Sequence, residues 1–154
     1  MIVKNCMKRD VFSVVAESTV RDAAAIFVKH HVGLLPILDK GDKPIGEVGL
    51  QELLTLEMPD FVSFVKDVDF VHDFGAVETT RPPAPTLDQS IKNLMKPAVT
   101  VPVDCGLLRA YALMLQNNLH DILVVTKAGK LAGIASRVDV GVAILKAWKK
   151  DKGS

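Results

Sequence analysis

The sequence predicts a mixed α/β (α+β) fold made of two copies of one β-α-β-β-α unit packed on each other. Three observations carry this reading. First, Val3-Lys4-Asn5-Cys6-Met7-Lys8 is matched by Ile91-Lys92-Asn93-Leu94-Met95-Lys96. From Phe12-Ser13-Val14 onward the match to Val99-Thr100-Val101 runs without a gap at an offset of 87 residues, the first copy needing one extra residue near Arg9-Asp10. Second, each copy alternates apolar residues at helical spacing with short apolar runs bounded by Gly and polar turns. Third, a unit of about 55 residues buries too little apolar surface to be secure alone, so the copies should share their packing.

The elements follow in the same order in each copy. A short β-rich lead-in (Val11 to Val15; Ala98 to Val103) precedes a helix. In copy one Thr19 can cap that helix with Asp22 three residues on, as in a capping box. Val20, Ala23, Ala24 and Phe27 then fall on one face, and copy two repeats this at Leu107, Ala110, Tyr111, Met114 and Leu115. A buried strand comes next, Leu34 to Leu38 in copy one and Ile122 to Val125 in copy two. The turns Asp39-Lys40-Gly41-Asp42-Lys43 and Thr126-Lys127-Ala128-Gly129-Lys130 lead into second strands, Ile45 to Leu50 and Leu131 to Ala135, each followed by a closing helix.

The chain is thereby divided into a first repeat at 1–54, an insert at 55–90 and a second repeat with a basic tail at 91–154. The insert holds Phe61, Phe64, Phe70 and Phe74 and an excess of acidic residues. Pro59-Asp60 can start a short helix carrying Phe61, Val62, Phe64, Val65 and Val68, and Thr79 to Pro85 is expected to be an extended linker.

Hydrophobic residues make up 49% and charged residues 24%, which is ordinary for a globular chain. A net charge of +1 sets up no field toward nucleic acid or an anionic membrane. The lysines at 146, 149, 150 and 152 read as a solvated helix end. No apolar run reaches the roughly 18 residues of a membrane span, and the N-terminus lacks the pattern of a signal peptide, so a cytoplasmic protein is expected. Cys6 and Cys105 sit in apolar stretches and are expected to be buried packing rather than a disulfide framework or metal site. Trp148, with Ile144 and Leu145, fits one face of the last helix, as internal packing or at a dimer seam.

The repeat resembles the CBS domain, named after cystathionine β-synthase, and two in tandem resemble a Bateman module. Gly133-Ile134-Ala135-Ser136-Arg137-Val138-Asp139 fits the family's Gly-φ-φ-Ser/Thr-x-x-Asp signature. Gly33-Leu34-Leu35-Pro36-Ile37-Leu38-Asp39 looks like its Leu-Pro strand and turn Asp. Singly these patterns are weak; in order and in two copies they are specific. The resemblance covers roughly residues 1–54 and 90–148, and implies repeats related by a pseudo-twofold axis with two clefts between them.

It also implies a ligand. The better cleft would use Ile134, Ser136, Arg137 and Asp139 from copy two, with Phe12, Gly33, Leu34 and Pro36 from copy one. Asp139 would read ribose hydroxyls, Ser136 phosphate or ribose, Arg137 phosphate oxygens, and Phe12 the base. The residue chemistry agrees: Ser136 precedes a helix whose free N–H groups favour an anion, and Asp139 is an acceptor-only group suited to paired hydroxyls. The same Ser-x-x-Asp is also an ordinary helix N-terminus, with Ser capping and Asp stabilising the dipole. Candidate ligands are AMP, ADP, ATP and S-adenosylmethionine.

The weaker second cleft would involve Glu52, Thr100, His120, Asp121 and Ile122. Gly49 stands there in place of the hydroxyl residue, Glu52 is a methylene longer than Asp, Leu123 replaces the proline, and Asp121 should repel phosphate. An empty cleft and one holding an uncharged or cationic adenosyl ligand both fit.

No Walker loop, Gly-x-Ser-x-Gly elbow or His-Glu-x-x-His is present, so no enzyme site is expected. His30-His31 reads as a helix end or base neighbour, and Asp69, His72 and Asp73 as solvated loop, rather than as metal ligands. The expected function is therefore a ligand-sensing regulatory module acting on a separate effector protein, with homodimerisation implied by the family. A ligand-free dimerisation or interaction scaffold is the alternative.

Overall fold

The structure, a computed structural model, describes residues 1–56 and 81–150. The Phe-rich helix expected near 59–68, the cluster Asp69, His72 and Asp73, and the end of the basic tail lie outside these residues.

Copy one comprises β1 (Val14–Val15), α1 (Val20–His30), β2 (Leu34–Leu38), β3 (Pro44–Gly49) and α2 (Leu50–Leu54). A short helix α3 (Ala84–Leu87) precedes copy two: β4 (Thr100–Pro102), α4 (Leu107–Gln116), β5 (Asp121–Val125), β6 (Leu131–Ser136) and α5 (Arg137–Lys150). Each copy forms a three-stranded sheet, β1-β2-β3 and β4-β5-β6, in which the first pair is parallel and the second antiparallel. The lead-in strands are shorter than the sequence predicts, because only Val14–Val15 and Thr100–Pro102 find ladder partners. The expected extended linker is corrected in part: Pro83 is extended, but Ala84–Leu87 turns helical. Pro85 fits that first turn, where its missing N–H would have had no partner.

Local chemistry explains most of the elements. The Thr19 capping box forms in both directions, with Asp22 N–H donating to Thr19 Oγ1 at 3.1 Å and Thr19 N–H to Asp22 Oδ2 at 2.9 Å. Val20, Ala23 and Phe27 are buried on one side of α1, as are Leu107, Ala110 and Met114 on α4. Leu115, expected on that face, instead points to solvent at 53% exposure. The repeat extends to backbone strain: His31 and Asn118 have φ of 53° and 52°, and Asp42 and Gly129 have 61° and 82°, at matching positions of the two copies.

The copies exchange their lead-in segments. Val3 is fully buried in the core of copy two, and Ile91 in that of copy one. Backbone bonds fix the exchange, with Val3 N–H donating to Cys105 O at 2.8 Å and Ile91 N–H to Ser18 O at 2.9 Å. Farther along, Lys8 bridges Ile134 on β6, while Lys96 bridges Glu47 on β3. Both strands carry a glycine where the foreign segment crosses. A Cβ on Gly133 would lie 2.7 Å from the Lys8 carbonyl oxygen, and one on Gly46 would meet Met95 and stand 3.0 Å from the Lys96 carbonyl oxygen.

Cys105 is buried and Cys6 half-buried against the same core, both as free thiols. Trp148 is 67% exposed, which removes internal packing as its role.

Candidate functional site

Besides a groove of about 450 Å³ where Met1, Asn5 and Cys6 meet α4 and α5, which Asp139 also borders, two clefts open between the copies. The larger, of about 400 Å³, is walled by Phe12, Gly33 and Leu34 from copy one and Ile134 and Asp139 from copy two. Five of the eight residues that the sequence nominates are thus brought together. Asp139 is held by a reciprocal cap: Ser136 N–H donates to its Oδ2 at 3.0 Å, and its own N–H donates to Ser136 Oγ at 3.0 Å. Among the described residues no hydrogen bond engages its other oxygen. Phe12 stacks on His30, with ring centroids 3.6 Å apart and planes 13° apart. One face of that aromatic is therefore already covered.

The remaining three nominated residues do not line this cleft. Pro36 is buried within β2, one strand period inward from Leu34. Ser136 is engaged as the helix cap. Arg137 turns away from the cleft: its Nε donates to the carbonyl oxygen of Leu119, and a second guanidinium nitrogen donates to that of Met114 at 3.4 Å. The end of α4 has carbonyls in need of donors, and the guanidinium supplies them.

Sequence reasoning missed the lysine in this cleft wall and placed Asp121 only in the other cleft; Asp10 lines the wall as well. Lys8 and Asp121 both line it. Burial pushes the Asp121 carboxyl above its ordinary value, an effect opposed by Lys8 and reinforced by Asp139. The pairing of Lys8 with Lys96 across the repeat was the available signal for the first. Asp121 was assigned to one cleft and borders both.

The smaller cleft, of about 280 Å³, has Glu52, His120 and Asp121 in its wall, as the sequence nominates. Thr100 faces solvent on β4 and Ile122 is fully buried in the copy-two core, because strand alternation turns Ile122 away from its neighbour Asp121. Glu52 Oε2 accepts from Gly49 N–H at 2.8 Å, the same cap that Asp139 makes in copy two. Its Oε1 meets Lys96 Nζ at 3.2 Å.

Glu47 forms part of the same wall and was not foreseen. It stands where copy two has Ile134, and it is the buried charged residue of the described chain at 1% exposure. Oε1 accepts from Val99 N–H at 2.9 Å, while Oε2 is buried without a partner. Burial pushes the carboxyl above its ordinary value; the Val99 N–H and Lys96 oppose this, and Glu52 and Asp121 add to it. Among the described residues no group of three or more His, Cys, Asp or Glu is arranged to hold a metal ion. No described helix is long and apolar enough to cross a membrane.

This pair of sheets, with exchanged lead-ins and two clefts at the seam, is the architecture of a tandem CBS protein. The CBS domain family model matches residues 3–58 and 91–146, and the chain belongs to that family. Among solved structures it is similar to CBSX2 in complex with AMP, at 26% identity and a TM-score of 0.70 over 95% of this chain and 97% of that one. The CBS-pair protein CBSX2 from Arabidopsis thaliana gives 24% identity and 0.73, covering 96% of each chain. The CBS domain pair of MJ0100, in complex with 5′-methylthioadenosine and S-adenosyl-L-methionine, gives 17% and 0.67 over 96% of this chain and 98% of that one. No protein of curated function matches the sequence.

Proposed function

We propose that this chain is a regulatory CBS pair, not a catalyst, which binds an adenosine-type ligand in the larger cleft and acts on an effector protein in trans. The observation that carries this reading is Asp139, fixed by its cap with one oxygen unengaged, on the wall of a cleft that Phe12 and Lys8 also line. Asp139 reads ribose hydroxyls, the Phe12–His30 stack offers a flat apolar surface to the base, and Lys8 faces a phosphate. CBSX2 with AMP and MJ0100 with S-adenosylmethionine support the ligand class. A ligand that prefers one geometry of the two repeats shifts the pair toward it, which is the regulatory signal.

We take 1–54 and 91–154 as the sensing repeats and 55–90 as an insert between them. The pair forms a homodimer through α4 and α5, where Leu108, Val138, Val142, Leu145 and Trp148 are exposed. That same face is what favours a ligand-free scaffold as the second reading.

Thermal unfolding of the wild type and Asp139→Ala, with and without AMP, ADP, ATP and S-adenosylmethionine, separates the two. A ligand at about 100 times its Kd adds about 2.7 kcal/mol to the folded state. A wild-type shift that largely vanishes in Asp139→Ala is the expected result. No shift with any of the four ligands in the wild type would reject sensing in favour of the scaffold.

A further inference from the structure

The smaller cleft differs from its partner in one respect that repeat symmetry does not explain: its wall carries a buried acid where copy two has Ile134. Glu47 is 1% exposed, one oxygen is spent on Val99 N–H, and the other has no donor. An acceptor left unpaired in a dry site is costly, and a ligand that brings an N–H removes the cost. Toward the mouth Glu52 and Asp121 add two further carboxylates, and the Lys96 ammonium is already paired with Glu52. Phosphate therefore finds two acids and no unpaired lysine among the lining residues, whereas in the larger cleft Lys8 accompanies Asp121. Leu34, Leu50 and Leu119 supply apolar wall, so the remaining space suits a flat ring.

We propose that the smaller cleft is a site for a phosphate-free nucleoside-type ligand bearing an amino group, with Glu47 Oε2 as the acceptor that selects the amine. This rests on the reading that the clefts between the repeats take adenosine-type ligands, and it assigns different ligands to the two. Glu47 is the specificity-determining residue of the smaller cleft, and copy two carries Ile134 at the matching position.

The test uses adenosine and inosine, which differ at the ring position where one carries an amine and the other a carbonyl. Binding is measured calorimetrically at pH about 7.5 in Asp139→Ala, so that the smaller cleft is read alone. Adenosine is expected to bind about tenfold or more tightly than inosine and than AMP. In the double variant with Glu47→Gln the amide oxygen can keep the Val99 bond and turns its NH₂ toward the ligand. The preference for adenosine is then expected to fall to parity or reverse, which a purely structural role would not produce. Equal affinity for the two nucleosides, or a preference that survives Glu47→Gln, overturns the proposal. If Glu47→Gln does not fold, the Val99 amide signal of the Asp139→Ala protein reports on the same carboxyl by NMR. It should move with adenosine and not with inosine, and no movement with adenosine overturns the proposal. Failure of AMP, ADP, ATP and S-adenosylmethionine alike to bind the wild type would instead strike the broader reading of the larger cleft.

Discussion

Arg137 closes the end of α4 by donating from Nε to the carbonyl oxygen of Leu119, eighteen residues earlier in the chain. The guanidinium is thereby committed to structure inside copy two and not to a ligand. Arg137→Ala should cost about 1–3 kcal/mol by leaving the Leu119 carbonyl oxygen without its donor; that of Met114 keeps the Leu119 N–H. Denaturant unfolding measures that loss. Ligand affinity should change far less than in Asp139→Ala, and an equal loss in both would return Arg137 to the cleft.

Ser136 caps α5 through Asp139 N–H, so Ser136→Ala should lower stability by about 1 kcal/mol without any ligand present. For a chain of this length that is about 2–4 °C in Tm. Thr19→Ala, which removes the matching cap of α1, is the control and should lose a similar amount. A Ser136→Ala protein as stable as wild type would show that the cap carries no weight.

Gly133→Ala should destabilise more than Gly46→Ala. The added methyl of the first meets a backbone oxygen, that of Lys8, at 2.7 Å, whereas the second meets chiefly the movable Met95 side chain and a carbonyl at 3.0 Å. Overpacking of this kind costs about 1–3 kcal/mol. Paired melting curves of the two variants give the order directly, and a reversed order would mean that the Lys8 segment yields more easily than Met95.

Glu47 gives stability an unusual dependence on pH. Its folded value is raised above the ordinary 4.5, so between the two values the folded state holds a proton that the unfolded state has released. The contribution is fully present below the unfolded value and is lost as pH rises through the folded one. Asp121, raised above 3.8, acts in the same sense. As pH rises above the ordinary carboxylate value, Glu47→Gln should therefore gain stability relative to wild type, measured as the difference in Tm. A difference that stays flat as pH rises would show that burial does not tax the charge.

The two-copy plan was legible because it depends on patterns that sequence records well: apolar spacing on α1 and α4, the Thr19-x-x-Asp22 box, and the turn before β3. That Asp139, Phe12, Gly33, Leu34 and Ile134 meet at one cleft was legible for the same reason, since the repeat fixes their place relative to a known signature. Arg137 was misjudged because its chemistry suits phosphate and a helix end equally, and only the position of α4 decides between them. Glu47 escaped notice because a Glu in a strand reads as solvent-facing until the segment carrying Val99 is laid over it. Lys8 needed the same information, for it belongs to a segment that crosses to the other sheet.

That crossing has a consequence for how the chain matures. The first core includes Ile91, and the second includes Val3. As the ribosome delivers the protein, the strands of the first sheet emerge with their core incomplete. They wait a few seconds, at about 5–20 residues per second, for Ile91 to arrive. Val3, made at the outset, stays unhoused until Val140 has been added. Closing loops of this span makes assembly slow relative to a local fold, and it makes the two halves cooperative, each withholding a piece that the other requires. The duplicated segment is thus a unit of inheritance, whereas the unit that folds is the whole pair.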